Sequence, residues 1–337
     1  MAAPIYPIFL PLAGCPLRCV YCDQRSSSGQ ASRPEPEEVA GMLHEMLPAR
    51  GEGEIAFYGG TFTMLPGGLR EDYLSVAQTC LRAGRAAGIR VSTRPDALDE
   101  GVVDGLARCG VTTVEIGCQS FSPRVLAAAM RGHGPSEARG AVDRLRVRGL
   151  GVGLQLMPGL PGGDRAEAIA SLETALALKP DFLRIYPTLV VRGTPLEGLF
   201  GGGQYRPWTV EEAVEVCADM ALRCRRAGVP VIRLGLQGTP ALSGGGVLVA
   251  GPYHPAFGQL VRSRLWRRAL LRGAELTGSA RVRVHPADLS DALGHRRDNR
   301  DVFLRRFAGG EIRADRNLSR EHVAFAGRNY HFAELAH

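Results

Sequence analysis

Hydrophobic positions along this chain gather into short, nearly continuous runs rich in β-forming residues, and helix-like stretches fill the intervals between them. The runs are "YPIFLPL" (6–12), "EIAFYGG" (54–60), "RVSTRP" (90–95), "TVEIGC" (113–118), "GVGLQLMP" (151–158) and "FLRIYPT" (182–188). Helices are expected at 35–48, 68–87, 99–108, 122–130, 135–148, 164–178 and 210–227. Strands that are apolar throughout suit a sheet covered on both faces, and strand–helix alternation predicts parallel pairing. Six such units predict an open, partial (β/α)6 parallel barrel over residues 1–228, with its working end where the strands finish. Each strand does finish in unusual residues: a set of cysteines, then "GGT", "RPD", "CQS", "PGLPG" and "PTLV". Beyond 228 the pattern changes, through "VPVIRLGLQG" and a glycine-rich turn at 244–246, to a small α+β C-terminal extension over 229–337. Polar residues near 26–33 read as a mobile loop, and no internal repeat or long linker is visible.

Composition narrows the class. With 337 residues, 45% hydrophobic and 22% charged, the chain can bury a large core, and no run reaches the ~18 consecutive apolar residues that a membrane span needs. "LAGC" (12–15) has the form of a lipobox. The preceding residues, however, contain no Lys or Arg and are broken by Pro4, Pro7 and Pro11, unlike a signal peptide. Eight cysteines in a chain of this size do not make a disulfide framework, which points to a reducing cytoplasm. The net charge of +7 permits a polyanionic partner without requiring one. A Schiff-base barrel enzyme is disfavoured, since the only lysine, Lys179, precedes a proline in an expected loop.

Cys15, Cys19 and Cys22 form CxxxCxxC just after the first strand. Three thiolates on one short loop suit a 4Fe-4S cluster with one iron left open. Structural zinc is the alternative, but no His or Cys follows Cys22 at zinc-finger spacing. Cys217 and Cys224 share one face of an expected helix and, with Cys80, Cys109 and Cys118, read as buried apolar residues.

The CxxxCxxC motif, with Tyr21 before its last cysteine and a strand before its first, resembles the radical S-adenosylmethionine superfamily, whose fold is a partial parallel barrel. The resemblance implies that the open iron chelates S-adenosylmethionine and that reductive cleavage yields a 5′-deoxyadenosyl radical. It also implies an electron donor protein such as ferredoxin or flavodoxin. By the same likeness Gly59, Gly60 and Thr61 receive the methionine amino group. Ser92 stands where relatives often carry Glu against the ribose, and Arg94 lies beside it. Gln119 and Arg131, in "EIGCQSF" and "MRGH", correspond to residues that hold the ribose and carboxylate, and Gln155 to one that meets the adenosyl group.

A closer resemblance runs through "AGCPLRCVYCDQ", "YGGTFTMLP", "RIYPTLVVRGT", "VIRLGLQGT" and "AGPYHPAFGQLV" to Elongator catalytic subunit-like proteins in a short form. It implies a reaction on tRNA without acetyl transfer, since no acetyl-CoA loop is recognisable after residue 240. Oxygen-independent coproporphyrinogen oxidases share several of these motifs and imply a small-molecule substrate instead. Residues 281–315 read as strand, short helix, "GHRR" turn, Arg-rich helix and strand, a KH-like order with Arg297 where a second loop glycine would stand. Tyr186, Glu115, Tyr253 and His254 are the candidate substrate-side groups.

Overall fold

A computed structural model of the chain describes residues 4–30, 32–244 and 246–337. The six expected strands are β1 (Ile5–Phe9), β2 (Glu54–Tyr58), β3 (Gly88–Thr93), β4 (Val111–Gln119), β5 (Gly151–Leu156) and β6 (Phe182–Ile185). After them come β7 (Val190–Val191), β8 (Val231–Leu234) and β9 (Leu248–Ala250). One sheet runs in the order β1-β2-β3-β4-β5-β6-β8, and every neighbouring pair from β1 to β6 is parallel. It curls into a half-barrel of seven strands, one more than the six expected from the sequence. Ile8, Phe57, Val91, Ile116, Leu154 and Leu183 are buried along it, as strands covered on both faces require.

Two of the helices between strands begin where a side-chain oxygen satisfies a free N–H group of the first turn. Asp99 accepts from Val102 N ahead of Glu100–Arg108, and Asp164 accepts from Glu167 N ahead of Arg165–Ala177. β1 ends at Phe9, short of the expected residue 12, because Leu12 has a left-handed backbone (φ +56°) that no strand continues through. Within the expected loop at 26–33, Gln24–Ser28 forms a short helix capped by Asp23, while Ala31 lies outside the described residues, as does Gly245 of the expected 244–246 turn.

The chain divides into two compact units. The first comprises residues 1–208, 229–232 and 237–252, and the second 209–228, 233–236 and 253–337. In the first, β7 pairs antiparallel with β9. In the second, helices Val210–Arg226 and Phe257–Thr277 are joined by buried charge: Arg264 meets Glu211 and Glu215, and Arg268 meets Glu215 and Asp219. Its sheet contains β10 (Arg281–Val284), β11 (Glu311–Ala314), β12 (His322–Phe325) and β13 (Arg328–His331) in the order β11-β10-β12-β13. Helices Leu289–Leu293 and Asp298–Arg306 lie between β10 and β11 and are joined by residues 294–297. No helix among the described residues is long and apolar enough to cross a membrane.

Candidate cofactor site

The loop after β1 carries Cys15, Cys19 and Cys22 and is held from both sides. Thr61 N donates to Ala13 O (2.7 Å), and Val20 N donates to Ala129 O (3.2 Å). The Gln24 side chain closes the loop on itself, its Oε1 accepting from Leu12 N (2.6 Å) and Gly60 N (2.8 Å). Contact with the end of β2 is so close that a Cβ on Gly60 would lie 1.9 Å from Ala13 O, and one on Gly14 would lie 2.3 Å from Thr61 O. "GGT" is therefore the seat of the cysteine loop as well as the expected amino-group site. The N–H groups of Gly60 and Thr61 are engaged by the loop, and an ammonium, which only donates, would bond to oxygen acceptors there.

The three thiols see one another. Burial first, then the charges of Cys19 and Cys15, push the Cys22 thiol up to about 12. Burial also raises Cys15, against the hydrogen bond from the Thr61 hydroxyl, whose Oγ1 is 3.4 Å from the sulfur. Such thiols ionise readily only when a cation compensates them. Arg131 is one cation at hand, 5% exposed, with Nη1 donating to Cys19 Sγ (3.2 Å) and Tyr21 OH (3.4 Å) and Nη2 to Gly117 O. Burial works against its charge, but Tyr21 and Cys19 beside it hold its pKa above the ordinary value. Its Nε is buried with no partner among the described residues.

A buried guanidinium facing thiols and no carboxylate is arranged for an anionic group. No three His, Cys, Asp or Glu side chains among the described residues are gathered to hold one metal ion. The chemistry of the donor set, three thiols on one short loop beside a buried guanidinium, fits an anionic iron–sulfur cluster with one iron left open.

The other expected cofactor residues line the ends of β3, β4 and β5. Arg94 is buried and forks onto Asp96 (2.9 and 2.8 Å), while its Nη2 also donates to Arg131 O. Ser92, half-buried, stands in register with Glu115. Gln119 sits at a β-bulge where β4 leaves register with β5, with a left-handed backbone (φ +67°) unusual for a non-glycine residue, and its Oε1 accepts from Gln155 Nε2 (3.0 Å). A Cβ on Gly117 would lie 2.8 Å from Gln119 Nε2, so that glycine makes room for the pair. The structure thus brings Gln119 and Gln155 together and sets Arg131 against the cysteines.

Of the substrate-side candidates, Glu115 is 3% exposed and fully engaged. Its Oε1 accepts from Tyr58 OH (2.9 Å), Arg90 Nη1 (2.9 Å) and Arg184 Nη2 (3.0 Å). Arg184 also donates to Tyr186 OH (3.1 Å) and lies over the Tyr58 ring, 5.0 Å from its centroid. Glu115 and Tyr186 are therefore linked through Arg184. Tyr58, Arg90 and Arg184 escaped sequence reasoning; the signal available for the two arginines was that each stands on a strand two positions before a residue already singled out, Ser92 and Tyr186. Tyr253 and His254 belong to the second unit, where the His254 ring packs edge-on against His295, 5.2 Å between centroids.

A model of the radical SAM superfamily matches residues 9–175, and one of the radical SAM C-terminal domain matches residues 180–267. The tRNA uridine(34) acetyltransferase of Methanocaldococcus jannaschii is 34% identical over 135 residues, 39% of this chain and 25% of that protein. The heme chaperone HemW of Escherichia coli is 29% identical over 205 residues, 59% of this chain and 53% of that one. The chain spans a quarter to about half the length of these curated relatives. Among solved structures, archaeal Elp3 of Methanocaldococcus infernus, lacking its first 46 residues, superposes with a TM-score of 0.59 at 21% identity, covering 82% of this chain and 64% of that one.

Proposed function

The chain belongs to the radical S-adenosylmethionine superfamily, and we propose that it is an enzyme that cleaves S-adenosylmethionine reductively in order to modify tRNA. The observation that carries this reading is the cysteine loop, where three neighbouring thiols meet a buried Arg131 that has no carboxylate partner among the described residues. Cys15, Cys19 and Cys22 would hold three irons of a 4Fe-4S cluster. When bound, such a cluster supplies the electron that cleaves S-adenosylmethionine, whose 5′-deoxyadenosyl fragment removes a hydrogen atom from substrate.

The chain's own residues orient and shield. Gly59, Gly60 and Thr61 offer oxygen acceptors to the methionine amino group, Gln119 and Arg131 serve the ribose and carboxylate with Ser92 at the ribose and Arg94 orienting beside it, and Gln155, bonded to Gln119, meets the adenosyl group. Arg184, fixed by Glu115, holds the Tyr186 hydroxyl ready for substrate. Tyr253 and His254 are further candidates for substrate contact. The electron comes from a ferredoxin- or flavodoxin-type donor, and eight free cysteines suit the reducing cytoplasm where such donors work.

The choice of tRNA rests on the names of the relatives and on exposed Arg296, Arg297, Arg300, Arg305 and Arg306 around the second helix of the KH-like segment, which suit phosphate contact. The likeness to HemW favours a second reading, a small-molecule substrate. The test is anaerobic reconstitution with iron and sulfide, then reduction with S-adenosylmethionine, and assay of 5′-deoxyadenosine with and without bulk tRNA. Formation stimulated by tRNA supports the first reading, and formation indifferent to tRNA supports the second.

A further inference from the structure

Two polar side chains from outside the cysteine loop approach cysteine sulfurs, and toward a metal-bound thiolate, which has no proton, each could act only as donor. Thr61 follows β2, is 0% exposed, and places its Oγ1 3.4 Å from Cys15 Sγ, with its own N–H tied to Ala13 O. Arg131 follows the helix Pro123–Ala128 and directs Nη1 at Cys19 Sγ (3.2 Å). Its approach is fixed: Met130 before it has a left-handed backbone (φ +53°), Arg131 N donates to Leu126 O (3.0 Å), and Nη2 is spent on Gly117 O. No carboxylate contacts its guanidinium among the described residues.

Thr61 and Arg131 thus address two different sulfurs of the loop. A donor, and more so a cation, beside a cluster sulfur stabilises the form that carries the additional electron, and so raises the reduction potential. Arg131 is the stronger of the two because it brings a full charge into a buried setting with no carboxylate against it among the described residues.

We propose that Thr61 and Arg131 are positioning residues that set the reduction potential of the cluster through Cys15 and Cys19. The inference rests on the cluster reading above and goes beyond it, because it concerns the ease of reduction and not the presence of the group. On this account Arg131 acts on the cluster even before any S-adenosylmethionine is bound.

The test is a redox titration of the reconstituted full-length protein, with dithionite as reductant and electron paramagnetic resonance as readout, in the absence of S-adenosylmethionine. Arg131→Met is expected to lower the reduced-to-oxidised ratio at the wild-type midpoint at least tenfold, ~59 mV for a one-electron couple. Arg131→Lys keeps the charge and should fall between the two. Thr61→Val should shift the midpoint in the same direction by less, and Thr61→Ser, which keeps the hydroxyl, should restore it. Normal iron content with an unchanged midpoint in both Arg131→Met and Thr61→Val overturns the inference and leaves the cluster reading intact. Equal shifts in Thr61→Val and Thr61→Ser overturn the role of the hydroxyl. A wild-type protein that takes up no cluster overturns both inference and reading. If a truncating variant fails to load iron, the comparison of Arg131→Lys and Thr61→Ser with wild type decides.

Discussion

Cys15, Gly60 and His133 each expose a different physical constraint at the site. Cys15 is one of only three thiols on the loop, so Cys15→Ala should abolish stable cluster loading; iron and sulfide analysis after anaerobic reconstitution reads this directly. Gly60 has φ +31° and a Cβ there would meet Ala13 O at 1.9 Å, so Gly60→Ala must push the cysteine loop away. A loss of about 2 kcal/mol in thermal or denaturant unfolding is expected, combining backbone strain with the clash. His133 has Nε2 buried without a partner among the described residues, and burial, reinforced by Arg131, lowers its pKa to about 4 from 6.5. Asp96 and the Gly134 carbonyl act in the opposite direction and are outweighed. Between those values the unfolded chain binds a proton that the folded chain refuses. Stability from this group is therefore full above 6.5 and declines as pH falls toward 4. Urea midpoints of wild type and His133→Asn at about pH 5 and about pH 7 check this, and the variant should show the smaller acid loss.

At the scale of elements, charge inside the half-barrel ties strands together. Glu115 on β4 accepts from groups on β2, β3 and β6, and Arg90 reaches on to Glu54, which accepts in turn from Thr112 and Thr113. Glu115→Gln leaves Arg90 and Arg184 with less compensation in a buried place, and a destabilisation of roughly 3 kcal/mol is expected from equilibrium unfolding. This network also marks where the sequence stops being legible. Strands β1 to β6 stood out because their apolar runs are continuous, and the strand ends stood out because glycine, cysteine and arginine interrupt those runs. Arg90 and Arg184 did not, since a strand position says which face a side chain takes and not which acid it will meet across three strands. Helix Phe257–Thr277 was hidden for a related reason. Arg264 and Arg268 occupy inward positions that pattern reading assigns to solvent, and only the acids on Val210–Arg226 make their burial tolerable. Loop geometry was least visible: nothing in "DQ" announces that Gln24 would bridge Leu12 and Gly60.

For the whole molecule, the family models account for residues 9–175 and 180–267, and the fold matches an archaeal Elp3 over 82% of the chain. The second unit shows β10, two helices joined through 294–297, and β11 paired parallel to β10, with arginines exposed along the second helix. If that segment meets RNA phosphates, Arg296→Ala with Arg300→Ala should weaken tRNA binding and lessen its salt dependence, while iron content and tRNA-independent 5′-deoxyadenosine formation stay at wild-type level; filter binding at two ionic strengths reads both.

The central claim is that Cys15, Cys19 and Cys22 hold a four-iron cluster whose open corner takes S-adenosylmethionine. Electron paramagnetic resonance of the reduced, reconstituted protein before and after addition of S-adenosylmethionine tests it most directly. The account predicts a cluster signal that changes when S-adenosylmethionine is added and is lost in each cysteine-to-alanine variant. A signal indifferent to S-adenosylmethionine, or one that survives in Cys15→Ala, would contradict it.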